Sequence, residues 1–183
     1  CTITTSAWRR GAEVVIVHGP MVARLPDGDM RATPVETTRE MADAVRAELP
    51  DADVLIMAAA PADFRPAAVA DSKIKKRGEA PAPIVLAENP DILAETRDAR
   101  KPGMLAVGFA LETDDLLENA AAKIAKKGLD LIVANSAREA GAGFGYDTNR
   151  VTILAKDGSR VSSELRPKTE IADLILDRIE ALL

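Results

Sequence analysis

Four short apolar runs recur along the chain, with helical stretches between them, and this alternation restricts the fold more than any other feature. They are residues 13–17 (EVVIV), 53–60 (DVLIMAAA), 104–110 (MLAVGFA) and 129–135 (LDLIVAN). Runs this short, aliphatic and without regular polar alternation are strands covered on both faces. In residues 35–49, Thr37-Thr38-Arg39-Glu40-Met41 precedes Ala44-Val45 and Leu49, which predicts a Thr-capped helix with one apolar face, stopped by Pro50. Asn89-Pro90-Asp91-Ile92-Leu93 opens a second helix with proline at an early helical position. Residues 116–127 form a third, ended by Gly128. Residues 151–154 and 160–165 flank Lys156-Asp157-Gly158-Ser159, a β-hairpin with an Asp-Gly turn, and residues 168–183 close the chain as an amphipathic helix. The expected fold is therefore α/β: a mostly parallel, Rossmann-like sheet with helices on both faces and a C-terminal antiparallel β-hairpin. A chain of 183 residues suits a single domain over residues 1–183.

Composition removes several function classes. The chain has 29 Asp+Glu against 24 Lys+Arg, a formal charge of -5, which argues against a generic nucleic-acid binder. The longest apolar run, residues 54–62, is too short to span a bilayer, so no membrane partner is expected. One cysteine and one histidine, His18, leave no disulfide framework and no multi-cysteine zinc site. These features predict a cytoplasmic protein. Any anion site must be built locally, and one stretch stands out: residues 70–77, ADSKIKKR, place four cations within five residues. In open α/β sheets ligands bind beyond the carboxyl ends of the strands. Polar clusters follow the apolar runs at such positions: Asp63-Phe64-Arg65, then Phe109 with Glu112-Thr113, then residues 135–138.

Each cluster has a structural alternative. Lys73, Lys75 and Lys76 suit a polyphosphate as flexible point charges, or a solvated loop. Lys123, Lys126 and Lys127 lie on the last turns of a helix, where cations favour the dipole without any ligand. Asp63 suits Mg²⁺ ligation or capping of the next segment. Asn89-Pro90-Asp91 suits simple capping, or contact with an anion. Phe109 suits core packing or an aromatic ligand wall. Residues 141–145 (GAGFG) precede a hairpin and not a helix, which makes them a weak phosphate loop. His18 has no triad partner in view.

Taken in order, AAAPADFRP (58–66), KIKK (73–76), NPDIL (89–93), VGFALET (107–113), KIAKKGLDLIVAN (123–135), GFGYDTNRVTIL (143–154) and KTEIADLILDRI (168–179) resemble the phosphopantothenate–cysteine ligase family of coenzyme A biosynthesis. The resemblance covers residues 7–183. It implies a ligase that joins 4′-phosphopantothenate to L-cysteine. In the bacterial type CTP activates the carboxylate as an acyl-cytidylate with release of pyrophosphate, and cysteine then displaces CMP. By position, it implies that Met57, Ala58 and Ala59 line the cytidine pocket, that Asp63 serves nucleotide and Mg²⁺, and that Lys73 is catalytic at the triphosphate. It further implies that Pro90, Asp91, Ile92 and Leu93 run along the nucleotide, with Phe109, Lys123 and Lys127 flanking it. The run KIKK would then be a phosphate lid.

Pro61 stands where the family more often has valine. The family's first strand, glycine-rich turn and GNRSSG-like segment have no counterpart here, since CTITTS (1–6) does not resemble them, so an N-terminally truncated ligase domain is expected. Family members also imply a homodimer joined by a β-arm, for which residues 75–87 are the candidate, and association with a phosphopantothenoylcysteine decarboxylase. No flavin is implied for this chain. Two alternatives stand beside the ligase: a non-catalytic nucleotide-binding or assembly fragment of it, and another α/β enzyme such as a short dehydrogenase. Against the dehydrogenase counts the absence of GxGxxG after a first strand.

Overall fold

The computed structural model describes residues 2–21, 25, 28–75, 83–112, 116–136, 141–142 and 145–183, with the side chains of residues 112, 116–118 and 136 excepted. The elements run α1 (Thr2–Arg9), β1 (Val15–His18), β2 (Arg31–Pro34), α2 (Thr38–Glu48), β3 (Val54–Met57), β4 (Phe64–Pro66), β5 (Leu86–Glu88) and α3 (Ile92–Glu95). After a 3₁₀ turn (Arg97–Ala99) come β6 (Leu105–Glu112), α4 (Leu116–Lys127), β7 (Leu131–Ser136), β8 (Thr148–Asn149), β9 (Thr152–Ala155), β10 (Arg160–Ser162), β11 (Arg166–Pro167) and α5 (Lys168–Glu180).

The central sheet has the order β10-β9-β7-β6-β3. Strands β3, β6 and β7 are parallel, and the β9–β10 hairpin adds two antiparallel strands at one edge. Met57 lies opposite Gly108, and Phe109 opposite Val133. The alternating side chains build two cores. On one face Ala106, Ala110 and Ile132 pack with Met41, Val45, Ile92, Leu93 and Ile124 from α2, α3 and α4. On the other, Val107, Leu131, Val133 and Ile153 pack with Ile171, Ile175 and Ile179 of α5 and, at the margin, Ile3 and Ala7 of α1. The expected helices on both faces and the C-terminal hairpin are thus present.

The first apolar run behaves differently from expectation. β1 forms, but it pairs in parallel with β2 in a separate two-stranded sheet, Val15 opposite Arg31 and His18 opposite Pro34. Sheet pairing therefore leaves one edge of β1 and one edge of β3 unused among the described residues. A second two-stranded unit, β4–β5, sets Phe64 opposite Glu88 and Pro66 opposite Leu86 in antiparallel register.

Local chemistry explains the helix ends. Thr37 Oγ1 accepts the Glu40 amide at 3.1 Å while Glu40 Oε2 accepts the Thr37 amide at 3.1 Å and the Glu36 amide at 2.8 Å, a complete capping box. These two amides, Glu36 first, hold the Glu40 carboxyl below its usual value. The cap of α3 is Asp91, whose Oδ1 accepts the Ala94 amide at 3.3 Å. Pro90 thus precedes the cap and is not inside the helix, because the Asp91 side chain takes a free amide of the first turn. Gly128 ends α4 in the left-handed region, φ +59°. At the far face Arg10 bridges α1 to Asp173, Asp177 and Glu180 of α5 at 2.7–3.2 Å, and these carboxylates, Glu180 first, raise its already high pKa. No helix among the described residues is long and apolar enough to cross a membrane.

Candidate functional site

The structure gathers several of the sequence-identified residues where the chain leaves β3 and enters α3. Met57 ends β3 and is buried, whereas Ala58 and Ala59 are exposed just beyond it. Hydrogen bonds made by Asn89 and Arg65 then tie residues 62–65 to residues 88–89. The Asn89 amide donates to the Asp63 carbonyl at 2.8 Å, and Asn89 Nδ2 donates to the Ala62 carbonyl at 2.8 Å. Arg65 Nη1 donates to Asn89 Oδ1 at 3.2 Å and to the Glu88 carbonyl. The backbone around Asp63 is therefore fixed, while its carboxylate stays exposed.

Asp91 follows directly. Besides capping α3 it pairs through Oδ2 with Lys127 Nζ at 3.1 Å. Lys123 lies one turn earlier on α4, and the i, i+4 spacing puts both lysines on one face. The side chains of Ile92 and Leu93 are buried in the core, so only their backbone is available to a ligand. Gly108 lets this unit sit close to the sheet. A Cβ built there would lie 2.7 Å from Leu129 Cδ1 and 3.4 Å from Leu93 Cδ1. The glycine of VGFA is thus a steric requirement, and nothing in its local pattern separates it from an ordinary small strand residue.

Other expected members are not tied to this unit by the hydrogen bonds and ion pairs above. Phe109 is half-buried and packs on the α5 face of the sheet, opposite the face that carries α3 and α4. Lys73 and Lys75 are exposed beyond β4, and neither makes an ion pair among the described residues. Lys76, Arg77, Thr113, residues 137–138 and residues 143–144 lie outside the described residues, as do seven of the thirteen residues of the candidate arm 75–87. Sequence reasoning undervalued Asn89 and Arg65, whose crosslinks join segments far apart in the chain.

No group of three acidic, histidine or cysteine side chains suited to a metal occurs among the described residues. A single exposed carboxylate at Asp63 nevertheless fits Mg²⁺, which takes one or two protein carboxylates and fills its octahedron with water and substrate phosphates. A separate cavity of about 430 Å³ lies at the amino ends of β1 and β2, between Trp8, Glu13, Asp29 and Arg31, and none of the residues above lines it.

The family model described as the DNA/pantothenate metabolism flavoprotein C-terminal domain matches residues 1–183. Among curated proteins the chain is 42% identical over 180 residues to a cysteine/cysteine sulfinic acid decarboxylase from an unknown prokaryotic organism, covering 98% of this chain and 50% of that protein. It is 41% identical over 186 residues to the coenzyme A biosynthesis bifunctional protein CoaBC of Mycobacterium tuberculosis, covering 97% of this chain and 44% of that protein. The chain thus spans half or less of the length of these relatives. Among solved structures, the C-terminal domain of a CoaBC superimposes with TM-score 0.81 at 32% identity, over 99% of this chain and 80% of that one. A Cab2 mutant in complex with phosphopantothenate-cysteine shares the fold at TM-score 0.61 and 16% identity, over 84% of this chain and 54% of that one. With the whole chain matched and a CoaBC C-terminal domain sharing both sequence and fold, this chain belongs to the family of DNA/pantothenate metabolism flavoprotein C-terminal domains.

Proposed function

We propose that the chain carries the phosphopantothenate–cysteine ligase step of coenzyme A biosynthesis. The observation that carries the proposal is the crosslinked pair of segments 57–65 and 88–93, closed by the Asp91–Lys127 pair, on a chain of this family. In CoaBC the name describes the whole bifunctional protein, as the decarboxylase name does for the other relative; what passes to this chain is the part it matches.

In the first step the carboxylate of 4′-phosphopantothenate attacks the α-phosphorus of CTP. A new acyl O–P bond forms, the P–O bond to the β-phosphate breaks, and pyrophosphate leaves. In the second step the amine of cysteine attacks the acyl carbon, the acyl–O bond breaks and CMP departs as the amine loses its proton to solvent. The residues' work is positional and electrostatic. The backbone of residues 57–59 and 90–93 frames the nucleotide. Lys123 and Lys127 approach from one face of α4, and Lys73 is the cation assigned to the triphosphate. Mg²⁺ held at Asp63 would neutralise phosphate charge as the leaving group departs.

The β4–β5 ribbon supports a homodimer. Phe64 and Leu86 are more than half exposed and fall on one face of the ribbon, continued by exposed Ile84. A second copy of this chain is the proposed cover.

The test is product formation: incubation with 4′-phosphopantothenate, cysteine, CTP and Mg²⁺, followed by mass detection of 4′-phosphopantothenoylcysteine and of CMP. Lys73→Gln should slow acyl-cytidylate formation by about a hundredfold or more while leaving the thermal midpoint unchanged. Nucleotide binding without product would support a non-catalytic nucleotide-binding fragment instead, and normal activation by Lys73→Gln would remove Lys73 from the chemistry.

A further inference from the structure

Resting on the nucleotide site proposed above, we infer that Arg100 is its positioning residue: it clamps the carboxyl end of α4 to α3 and so keeps Lys127 paired with Asp91. Arg100 is half-buried, and its guanidinium reaches two separate pieces of backbone. Nη2 donates to the Leu93 carbonyl in α3. Nη1 donates to the Gly128 carbonyl at 2.6 Å and to the Lys127 carbonyl at 3.3 Å, at the end of α4. These are carbonyls that a helix end leaves without partners of its own. Two residues before one anchor stands Asp91, and at the other stands Lys127 itself.

The Arg100 guanidinium donates only to backbone carbonyls among the described residues. It has no carboxylate within ion-pair distance among the described residues, and burial together with the nearby Arg97 lowers its pKa against the opposing charge of Asp130. A cation so placed is held by neutral acceptors alone, which costs desolvation that an exposed arginine would avoid. The geometry it secures explains the placement. The Lys127–Asp91 pair is partly exposed, and such a pair does little to hold two helices in register by itself. A planar fork can hold two backbones at once, whereas a lysine ammonium on its flexible stem cannot hold them in one fixed geometry. Among the described residues the hydrogen bonds of Arg100 go to Leu93, Lys127 and Gly128, so its effect should pass through the α3–α4 side of the site.

Arg100→Lys and Arg100→Gln, each alone and in a Lys127→Met background, should be measured for thermal midpoint and for Mg-CTP affinity well below that midpoint. Arg100→Lys is expected to raise the Kd for Mg-CTP about tenfold in the otherwise wild-type protein, and less than about twofold when Lys127 is already gone. Arg100→Gln should give the same pattern, and it serves if the lysine variant folds poorly. A merely structural arginine would lower the midpoint without moving the affinity of the folded molecules, and that result overturns the inference. An equal loss in both backgrounds also overturns it, since Arg100 would then act independently of Lys127. Should the wild-type protein bind no Mg-CTP, the nucleotide site and this inference fall together. Normal wild-type binding with unchanged variants sinks only the role of Arg100.

Discussion

Gly108→Ala tests whether close packing beneath the site is as tight as the geometry requires. The substituted Cβ would stand 2.7 Å from Leu129 Cδ1 and 3.4 Å from Leu93 Cδ1. The first distance cannot persist, so Leu129 must turn or the strand must move. Leu129 is 3% exposed and Leu93 7%, which leaves the displaced methyl little free space. Overpacking of this kind costs about 1–3 kcal/mol, and the middle of that range applies because the tip of Leu129 can turn but has little free space to enter. Against it stands a gain of about 0.4–1 kcal/mol from the reduced freedom of the unfolded chain. The net expectation is a destabilisation of about 1 kcal/mol, or roughly 2–4 °C in Tm for a chain of this size. Thermal unfolding followed by circular dichroism reads it. Leu129→Val removes the clashing atom, so in that background Gly108→Ala should cost about 1 kcal/mol less. A rise in Tm for Gly108→Ala alone, of the size expected from the unfolded chain, would refute the steric reasoning.

Because its folded-state pKa is depressed, Glu40 contributes stability that is present above its unfolded value near 4.5 and is lost as pH falls toward the folded value. Wild-type Tm should therefore fall more steeply than that of Glu40→Gln on acidification through that window, and parallel profiles would exclude a role for the capping carboxylate. On the β4–β5 ribbon, Phe64→Ser combined with Leu86→Ser should weaken self-association by about tenfold or more in sedimentation equilibrium, with Tm measured at low concentration little changed. An unaltered association constant would place the dimer contact elsewhere. Asp63→Asn should weaken Mg-CTP binding while leaving CTP binding in EDTA as it was, and an identical loss in both conditions would make Asp63 a structural residue.

What was legible in the sequence was what local chemistry decides. Thr37 and Glu40 make their capping box within four residues of chain, and the runs that become β6 and β7 are buried along most of their length, so neither element needs distant information. Short strands with ordinary composition were not legible: Arg31–Pro34 has no apolar pattern and becomes β2 only because β1 lies alongside it. At the site, Asp63, Asp91 and Lys127 could be picked out by residue type and by family resemblance. The crosslinks could not, because Asn89 meets Ala62 and Arg100 meets Gly128 across more than twenty residues of intervening chain. Phe109 shows the reverse case. Its own sequence context suits core packing, the family resemblance alone implies a place beside the nucleotide, and strand alternation turns its side chain to the α5 face.

Calorimetric titration with Mg-CTP and with Mg-ATP, on the wild-type protein and on Lys127→Met, addresses the central proposal most directly. Saturable binding of CTP but not ATP, weakened in Lys127→Met, is the expected result and would support a cytidylate-forming ligase site between β3, α3 and α4. Absence of binding by either nucleotide, or CTP affinity untouched by the loss of Lys127, would contradict that assignment.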